Sequence, residues 1–178
     1  MMAAAGNAIF PEKESTEMNN CREFLLDDLL AVTAIPVTDY DPGMASWQLA
    51  PTVPAAQFSP TLTNATVIGL KPATANGRLI PIVRMTGKAR DAEADSVAGR
   101  AHSVTVSCEA DDRDGAVWAD LLHLERTPSH LLLTFRGGAQ AFVQATRDTY
   151  ICEVERDGAK TSVTLKVHCQ MGIQLITA

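Results

Sequence analysis

The sequence predicts a mainly β (α+β) fold: an antiparallel β-sandwich or small barrel with one packed α-helix at about 115–126 and long loops or arms. Two observations favour this class. After residue 102, apolar and polar side chains alternate along several segments, which is typical of strands with one buried face. One segment, residues 115–126, instead carries its apolar residues at helical spacing. A single helix packed on a sheet buries both apolar surfaces at once.

Length and charge exclude several classes of protein. The chain has 178 residues, enough for one domain with its own core. Its net charge is −6 and its Lys and Arg are not clustered, so we expect no direct nucleic-acid readout. No apolar run approaches the roughly 20 residues that span a bilayer. Residues 1–20 lack the basic start and apolar stretch of a secretory signal, which predicts a cytoplasmic location.

The N-terminal half is weakly patterned. We expect residues 1–20 to form a disordered arm, and residues 21–178 to form a single β-rich domain. Residues 21–37 mix helical spacing with β-branched residues. This pattern predicts a short helix or turn around 22–31, followed by an extended piece.

A Pro-rich segment follows at residues 38–62, and its prolines favour a long loop or arm over a strand. Such a loop is uncommon in a compact domain unless it binds something or reaches a partner. Tyr40, Trp47 and Phe58 lie in it and are the candidate interaction residues. They form either an exposed aromatic platform for a ligand or a set of anchors that pins the segment to the domain.

Strands resume at residues 63–70 and 78–86, with turn-forming residues between them. Pro81 cannot donate to a sheet ladder, so the second of these strands is predicted to be an edge strand or to contain a bulge. Residues 87–102 are small or charged and are bounded by glycines, which predicts a mobile loop.

The C-terminal half is clearer. Residues 103–110 alternate as a strand, and Asp114 is placed to cap the predicted helix 115–126. Gly137–Gly138 and Asp157–Gly158 favour tight hairpin turns. Residues 170–176 are predicted to extend the last strand past a bulge at Gly172. The strands after the helix are predicted to form a four-strand antiparallel meander, at residues 130–136, 139–146, 149–156 and 160–169.

The histidines give no catalytic pattern. His102 and His130 each begin a predicted strand and are able to lie near one another, but no acidic or Cys partner sits at ligand spacing. His168 and Cys169 are neighbours in a strand, so they point to opposite faces. We therefore predict no catalytic residue, no metal site and no cofactor.

The cysteines and acidic residues have ordinary structural explanations. The even count of four Cys permits disulfides. The absence of a signal peptide and the apolar-facing positions of three of them favour reduced core thiols instead. The acidic stretch at 109–114 predicts a solvated loop, with cation binding as the alternative. The four cysteines are Cys21, Cys108, Cys152 and Cys169.

The element order after residue 100 resembles that of the tail-tube and tube-related structural proteins of tailed bacteriophages and contractile injection systems. The resemblance covers roughly residues 100–176 and rests on a strand, a helix and then four strands. It implies self-assembly into rings without an active site. Residues 38–62 and 87–102 would then be the arms that grip neighbouring subunits.

Three hypotheses follow for the function. The leading one is a virion or injection-system structural subunit of tail or neck, which assembles with itself or with neighbouring subunits. The alternative is a non-catalytic β-sandwich module that binds carbohydrate or protein through Tyr40, Trp47 and Phe58. An enzyme is the least favoured, because it requires titratable groups gathered in a pocket.

Overall fold

A computed structural model shows a mainly β chain, as predicted. It describes residues 23–26, 28–39, 64–70, 78–96, 99–112, 115–158 and 160–176. These residues form eleven strands and one helix. In chain order they are β1 (Glu23–Leu26), β2 (Leu29–Pro36), β3 (Thr66–Gly69), β4 (Arg78–Ile80), β5 (Lys88–Ser96), β6 (Gly99–Ala110), α1 (Trp118–Arg126), β7 (Ser129–Phe135), β8 (Gln140–Val143), β9 (Tyr150–Asp157), β10 (Lys160–Cys169) and β11 (Gln174–Ile176).

The described strands form two open sheets. Sheet A has the order β1-β5-β6-β10-β9, and sheet B has the order β11-β8-β7-β2-β3-β4. Strand pairing is antiparallel except between β3 and β4, which run parallel. β4 is an edge strand, as the sequence predicted, but it ends at Ile80, directly before Pro81, and does not run to residue 86.

One hydrophobic cluster joins both sheets and the helix. Its members include Val106 and Leu165 from sheet A, Val32 and Leu133 from sheet B, and Leu121 from α1. The helix lies beside the β9 edge of sheet A, where the Tyr150 hydroxyl donates to the Leu124 carbonyl at 3.1 Å. On its other side, Asp120 pairs with Arg78 of β4, at the edge of sheet B. The helix therefore contacts both sheets.

Several predictions in the C-terminal half are confirmed. β10 has the predicted bounds, and its inward residues alternate with outward ones; Val163 and Leu165 are buried while Ser162 is exposed. Gly137 and Gly138 both have positive φ in the turn after β7. Asp157 pairs with Lys160 across the predicted β9–β10 hairpin.

The predicted helix or turn around residues 22–31 is wrong. Two strands, β1 and β2, occupy this region, and Asp28 with a φ of 66° separates them. The helical spacing was misleading because β2 is buried almost throughout, so apolar residues follow one another instead of alternating. The β-branched residues Val32, Thr33 and Ile35 were the better signal.

The predicted mobile loop at 87–102 is also wrong. β5 and the start of β6 form a hairpin there, paired from Lys88–Ser107 to Ser96–Gly99. The alternation of this strand is weak in the sequence because its inward residues are Ala89 and Asp91 instead of large apolar ones. Tertiary pairing overrides the weak β propensity of such residues.

The predicted four-strand meander is divided between the two sheets. The β7–β8 hairpin belongs to sheet B, and the β9–β10 hairpin belongs to sheet A. Residues 170–176 do not extend β10. The chain turns at Gly172, which has a φ of 62°, and β11 pairs with β8 in sheet B. Alternation identifies a strand, but the sheet that it joins depends on contacts distant in sequence.

The helix begins at Trp118, later than the predicted residue 115. No side chain caps it at Val117, and Asp112 Oδ1 instead accepts the Val117 N–H at 3.1 Å. The predicted cap, Asp114, lies outside the described residues, as do Cys21, residues 1–20 and residues 40–62 of the Pro-rich segment. None of the described helices is long and apolar enough to cross a membrane.

Candidate functional site

The three candidate interaction residues of the sequence, Tyr40, Trp47 and Phe58, lie outside the described residues. The described surface offers other candidates, since a few large apolar side chains are exposed on it. Three of them lie close together at one end of the molecule, and another lies at the other end. We call these two areas the Met85 surface and the Met171 surface.

The Met85 surface consists of Leu70, Val83 and Met85. Met85 is 76% exposed and Leu70 is 52% exposed. Together with Arg84 and Arg136 they line a small depression where the chain leaves β3 and approaches β5. Exposed apolar side chains with a charged rim are the usual composition of a protein–protein contact.

Hydrogen bonds hold the loop that carries Val83 and Met85 in one conformation. The Val83 N–H donates to the Glu109 carbonyl at 2.8 Å, and Asp111 N–H donates to the Pro81 carbonyl at 2.8 Å. The Thr86 side chain accepts the Glu109 N–H at 3.0 Å and donates to the Val83 carbonyl at 2.8 Å. This surface is therefore preformed, which lowers the entropy lost when a partner binds.

The Met171 surface consists of Ala101, Cys169 and Met171. Met171 is 60% exposed. These residues line a depression of about 530 Å³ whose other walls are polar. The polar lining residues are Gln144, Thr146, Thr149, His168 and Gln170.

A buried carboxylate fixes the segment that presents Met171. Asp91 Oδ2 accepts the Ile173 N–H at 2.9 Å, and Asp91 Oδ1 lies 3.0 Å from His102 Nδ1. Gly172 packs against both side chains; a Cβ there would lie 2.3 Å from Asp91 Oδ2 and 2.4 Å from His102 Nδ1. Only glycine fits at this close approach, so Met171 is held in place by the network beneath it.

The two surfaces lie at opposite ends of sheet B. Leu70 follows β3, and its N–H donates to the Leu30 carbonyl near the start of β2. The start of β2 pairs with the end of β7. Gln144 of the Met171 surface follows β8, whose last residue pairs with Leu131 near the start of β7. Because β7 separates them along its length, one of these two exposed surfaces lies at each end of sheet B.

Of the described histidines, His102 comes nearest to a catalytic arrangement. Asp91 orients its ring, and Cys169 is its Cα partner across β6 and β10. Burial raises the pKa of the Cys169 thiol, and the nearby Asp91 raises it further, against two hydrogen bonds from backbone groups. A thiol with a raised pKa is a poor nucleophile at neutral pH.

The other histidines do not join this cluster. His130 lies in sheet B, away from His102 in sheet A, so the two predicted strand-starting histidines belong to different sheets. His130 is buried, and its Nδ1 accepts the Ala145 N–H at 3.0 Å. Burial lowers the pKa of His130 to about 4. His123 lies on the exposed side of α1, 3.4 Å from the Thr127 hydroxyl.

The described cysteines are free thiols. Cys108 and Cys152 are buried, and burial raises the pKa of each to about 12. Cys169 is half-buried. This agrees with the expected core thiols for these three residues.

The acidic stretch differs from the solvated loop that the sequence predicted, because Asp112 is buried beside the start of α1. Its role is to accept the Val117 N–H that no helix residue satisfies. Within the described part of the chain, no group of three or more His, Cys, Asp or Glu residues is arranged to hold a metal ion.

Comparison with protein-family models, with curated proteins and with solved structures finds no match for this chain.

Sequence reasoning missed the residues of both surfaces. Met85 lies in a turn with a φ of 67°, and Met171 lies next to the turn at Gly172. A large apolar residue in a turn, within two residues of Gly or Pro, is a signal for an exposed contact, because a turn lies at the surface. That signal is present at Val83, two residues after Pro81, at Met85, two residues before Gly87, and at Met171, directly before Gly172.

Proposed function

We propose that this protein is a structural subunit of a phage tail or neck, or of an injection system, and that it acts by self-assembly without catalysis. The observation that carries this proposal is the pair of exposed apolar surfaces, around Met85 and Met171, at opposite ends of sheet B. Contact between two different surfaces of identical subunits is head-to-tail, and it builds rings or filaments.

The fold supports this role. We propose that the two sheets pack as a β-sandwich, with α1 closing the side between β9 and β4. A block with one continuous core transmits force between its ends because close-packed interiors are nearly incompressible. The proposal places the subunit in the cytoplasm during assembly and in the particle afterwards. Its partners are copies of itself or neighbouring subunits, and it needs no nucleic-acid or membrane contact.

A mixing experiment tests the head-to-tail contact. Met85→Asp removes one surface and Met171→Asp removes the other, because a buried unpaired carboxylate opposes association. Each variant alone is expected to be monomeric in analytical ultracentrifugation at concentrations where the native chain forms oligomers. Mixed together, they are expected to form a heterodimer and nothing larger, since each retains one intact surface.

Ile151→Asp is the matched control, because Ile151 is also exposed but lies on sheet A, away from both surfaces. It is expected to assemble like the native chain. Native protein that stays monomeric at every concentration, alone and with neighbouring gene products, contradicts the proposal. Loss of assembly in Ile151→Asp contradicts the assignment of the two surfaces.

The alternative function is a module that binds carbohydrate or protein. It is favoured by the polar side chains around the Met171 depression, since Gln144 and Thr149 offer hydrogen bonds beside an apolar floor. Titration of the native chain with a panel of oligosaccharides tests it. If Gln144→Ala abolishes oligosaccharide binding and leaves assembly unchanged, the result favours a binding module over a structural subunit.

A further inference from the structure

Sheet B is buried on both faces. Its inner face belongs to the shared core. On its outer face a row of residues runs across four strands, in which Val67, Thr33, Leu132 and Phe142 are successive Cα partners. Leu132 is 3% exposed and Phe142 is 1% exposed. A layer of protein therefore covers this outer face.

Neither α1 nor sheet A supplies that layer. The buried helix residues Leu121 and Leu124 belong to the inner cluster, as do the inward residues of sheet A such as Val106. The outer-face row is absent from that cluster. The covering layer therefore comes from another part of the same chain, because these residues are buried within the single chain.

We propose that residues 40–63 of the same chain cover the outer face of sheet B. Both ends of this segment meet the sheet at one place. The chain leaves β2 through Asp39 and returns at Asn64, just before β3, and β2 and β3 are neighbours. The Asn64 side-chain amide donates to Asp39 Oδ2 at 3.3 Å and ties the two ends together.

Composition matches the segment to this face. Residues 42–63 contain no charged residue, and they carry Trp47, Phe58 and several aliphatic side chains. The other long stretch, residues 1–22, carries several charges and leads into β1 at the edge of sheet A. A segment without charged side chains avoids the cost of burying a charge, and its apolar side chains gain about 25 cal/mol per Å² of apolar surface buried.

The segment is long enough. Six strands lie about 4.8 Å apart, so the sheet is roughly 25 Å across. About two dozen residues extend to roughly 80 Å, enough to cross the sheet and return. Its prolines suit this arrangement, because an extended covering segment does not need the N–H groups of a ladder.

Tryptophan fluorescence tests the proposal directly. The chain has two tryptophans, Trp47 and Trp118. In a Trp118→Phe variant, which keeps an aromatic ring beside the Arg156 guanidinium, all tryptophan emission comes from Trp47. Under the proposal this emission is blue-shifted in the folded protein and protected several-fold from iodide quenching, relative to the chain in denaturant.

Two substitutions locate the binding face. In the Trp118→Phe background, Phe142→Leu opens a gap on the outer face, so Trp47 emission is expected to shift to the red and quenching to increase. Phe135→Leu makes the same change on the inner face, since Phe135 belongs to the shared core. It is expected to lower stability without changing Trp47 emission in the folded state.

Three results overturn the proposal. Trp47 that is as accessible in the folded chain as in denaturant shows that the segment is not bound. If Phe142→Leu and Phe135→Leu change the protection of Trp47 from quenching equally, the segment lies elsewhere. Protection that disappears on dilution assigns the layer to a second copy.

If Phe142→Leu does not fold, limited proteolysis of the native protein with chymotrypsin replaces this variant as the test. Rapid cleavage at Trp47 and Phe58 then contradicts the proposal.

Discussion

The two sheets differ in what lies on their outer faces. The outer face of sheet A is polar: β10 exposes Ser162 and His168, and Lys166 on the same face pairs with Glu153 of β9 at 2.9 Å. The outer face of sheet B carries Leu132 and Phe142, and both are buried. Sheet A is thus one surface of the molecule, while sheet B is an inner layer with protein on both sides.

This difference explains where sequence patterns succeed. A strand with one solvated face alternates between polar and apolar residues, and β10 was predicted with its observed bounds. A strand buried on both faces becomes a continuous apolar run. β2 is such a strand, and its spacing was mistaken for that of a helix.

The largest expected effect is the difference in free energy of unfolding lost by substitutions on the two outer faces. Phe142→Ala removes a buried aromatic side chain from sheet B and is expected to cost about 3–5 kcal/mol in free energy of unfolding. Ile151→Ala on the outer face of sheet A is expected to cost about 0.5 kcal/mol or less, because Ile151 is exposed. Urea unfolding measures both. Similar costs would show that the two faces are equally solvated.

An intermediate effect concerns the turn through which the chain passes from sheet A to sheet B. Gly172→Ala places a Cβ against Asp91 and His102, so the hydrogen bond to Ile173 or the pair with His102 must break. Gly138→Ala is the control, since Gly138 also has positive φ but nothing lies within 4 Å of its added Cβ.

We expect Gly138→Ala to cost about 1 kcal/mol and Gly172→Ala to cost about 1–3 kcal/mol more. Chemical denaturation of the two variants under identical conditions gives the difference. Equal costs in free energy of unfolding would mean that the hydrogen bonds of Asp91 rearrange without destabilising the protein, and that they do not fix the Met171 segment.

The smallest effect is the pH dependence that His130 adds to sheet B. Burial lowers its folded pKa to about 4, from an ordinary value of 6.5. Between these values the unfolded chain binds a proton that the folded chain does not. His130 therefore leaves stability intact above about pH 6.5 and reduces it as the pH falls toward 4. At about pH 5 the loss is about 2 kcal/mol, from about 1.4 kcal/mol per pKa unit.

His130→Asn is the matched variant, because its Oδ1 takes the place of Nδ1 as acceptor for the Ala145 N–H without titrating. Urea unfolding at about pH 7 and about pH 5 compares it with the native chain. The variant is expected to lose about 2 kcal/mol less than the native chain over this interval. An equal loss in both would place the titration at other groups.

The candidate site was less predictable than the fold. The hairpin turn at Gly137–Gly138 and the inward face of β10 follow from local rules, and both were found in the sequence. The Asp91–His102 pair could not be predicted, because the two residues belong to a hairpin whose small and charged residues are typical of a loop. Met85 and Met171 were missed because exposure depends on the whole fold and not on local spacing.

The sequence by itself determined the mainly β class, the helix between β6 and β7 and the tight turns of the described residues, because side-chain alternation and turn chemistry are local properties. Only the tertiary structure decided that β7–β8 and β9–β10 join different sheets. It also decided that sheet B is buried on both faces and that Met85 and Met171 lie at opposite ends. These features depend on pairings such as β2 with β7, between strands far apart in the chain, and no local pattern specifies which distant strand provides the partner.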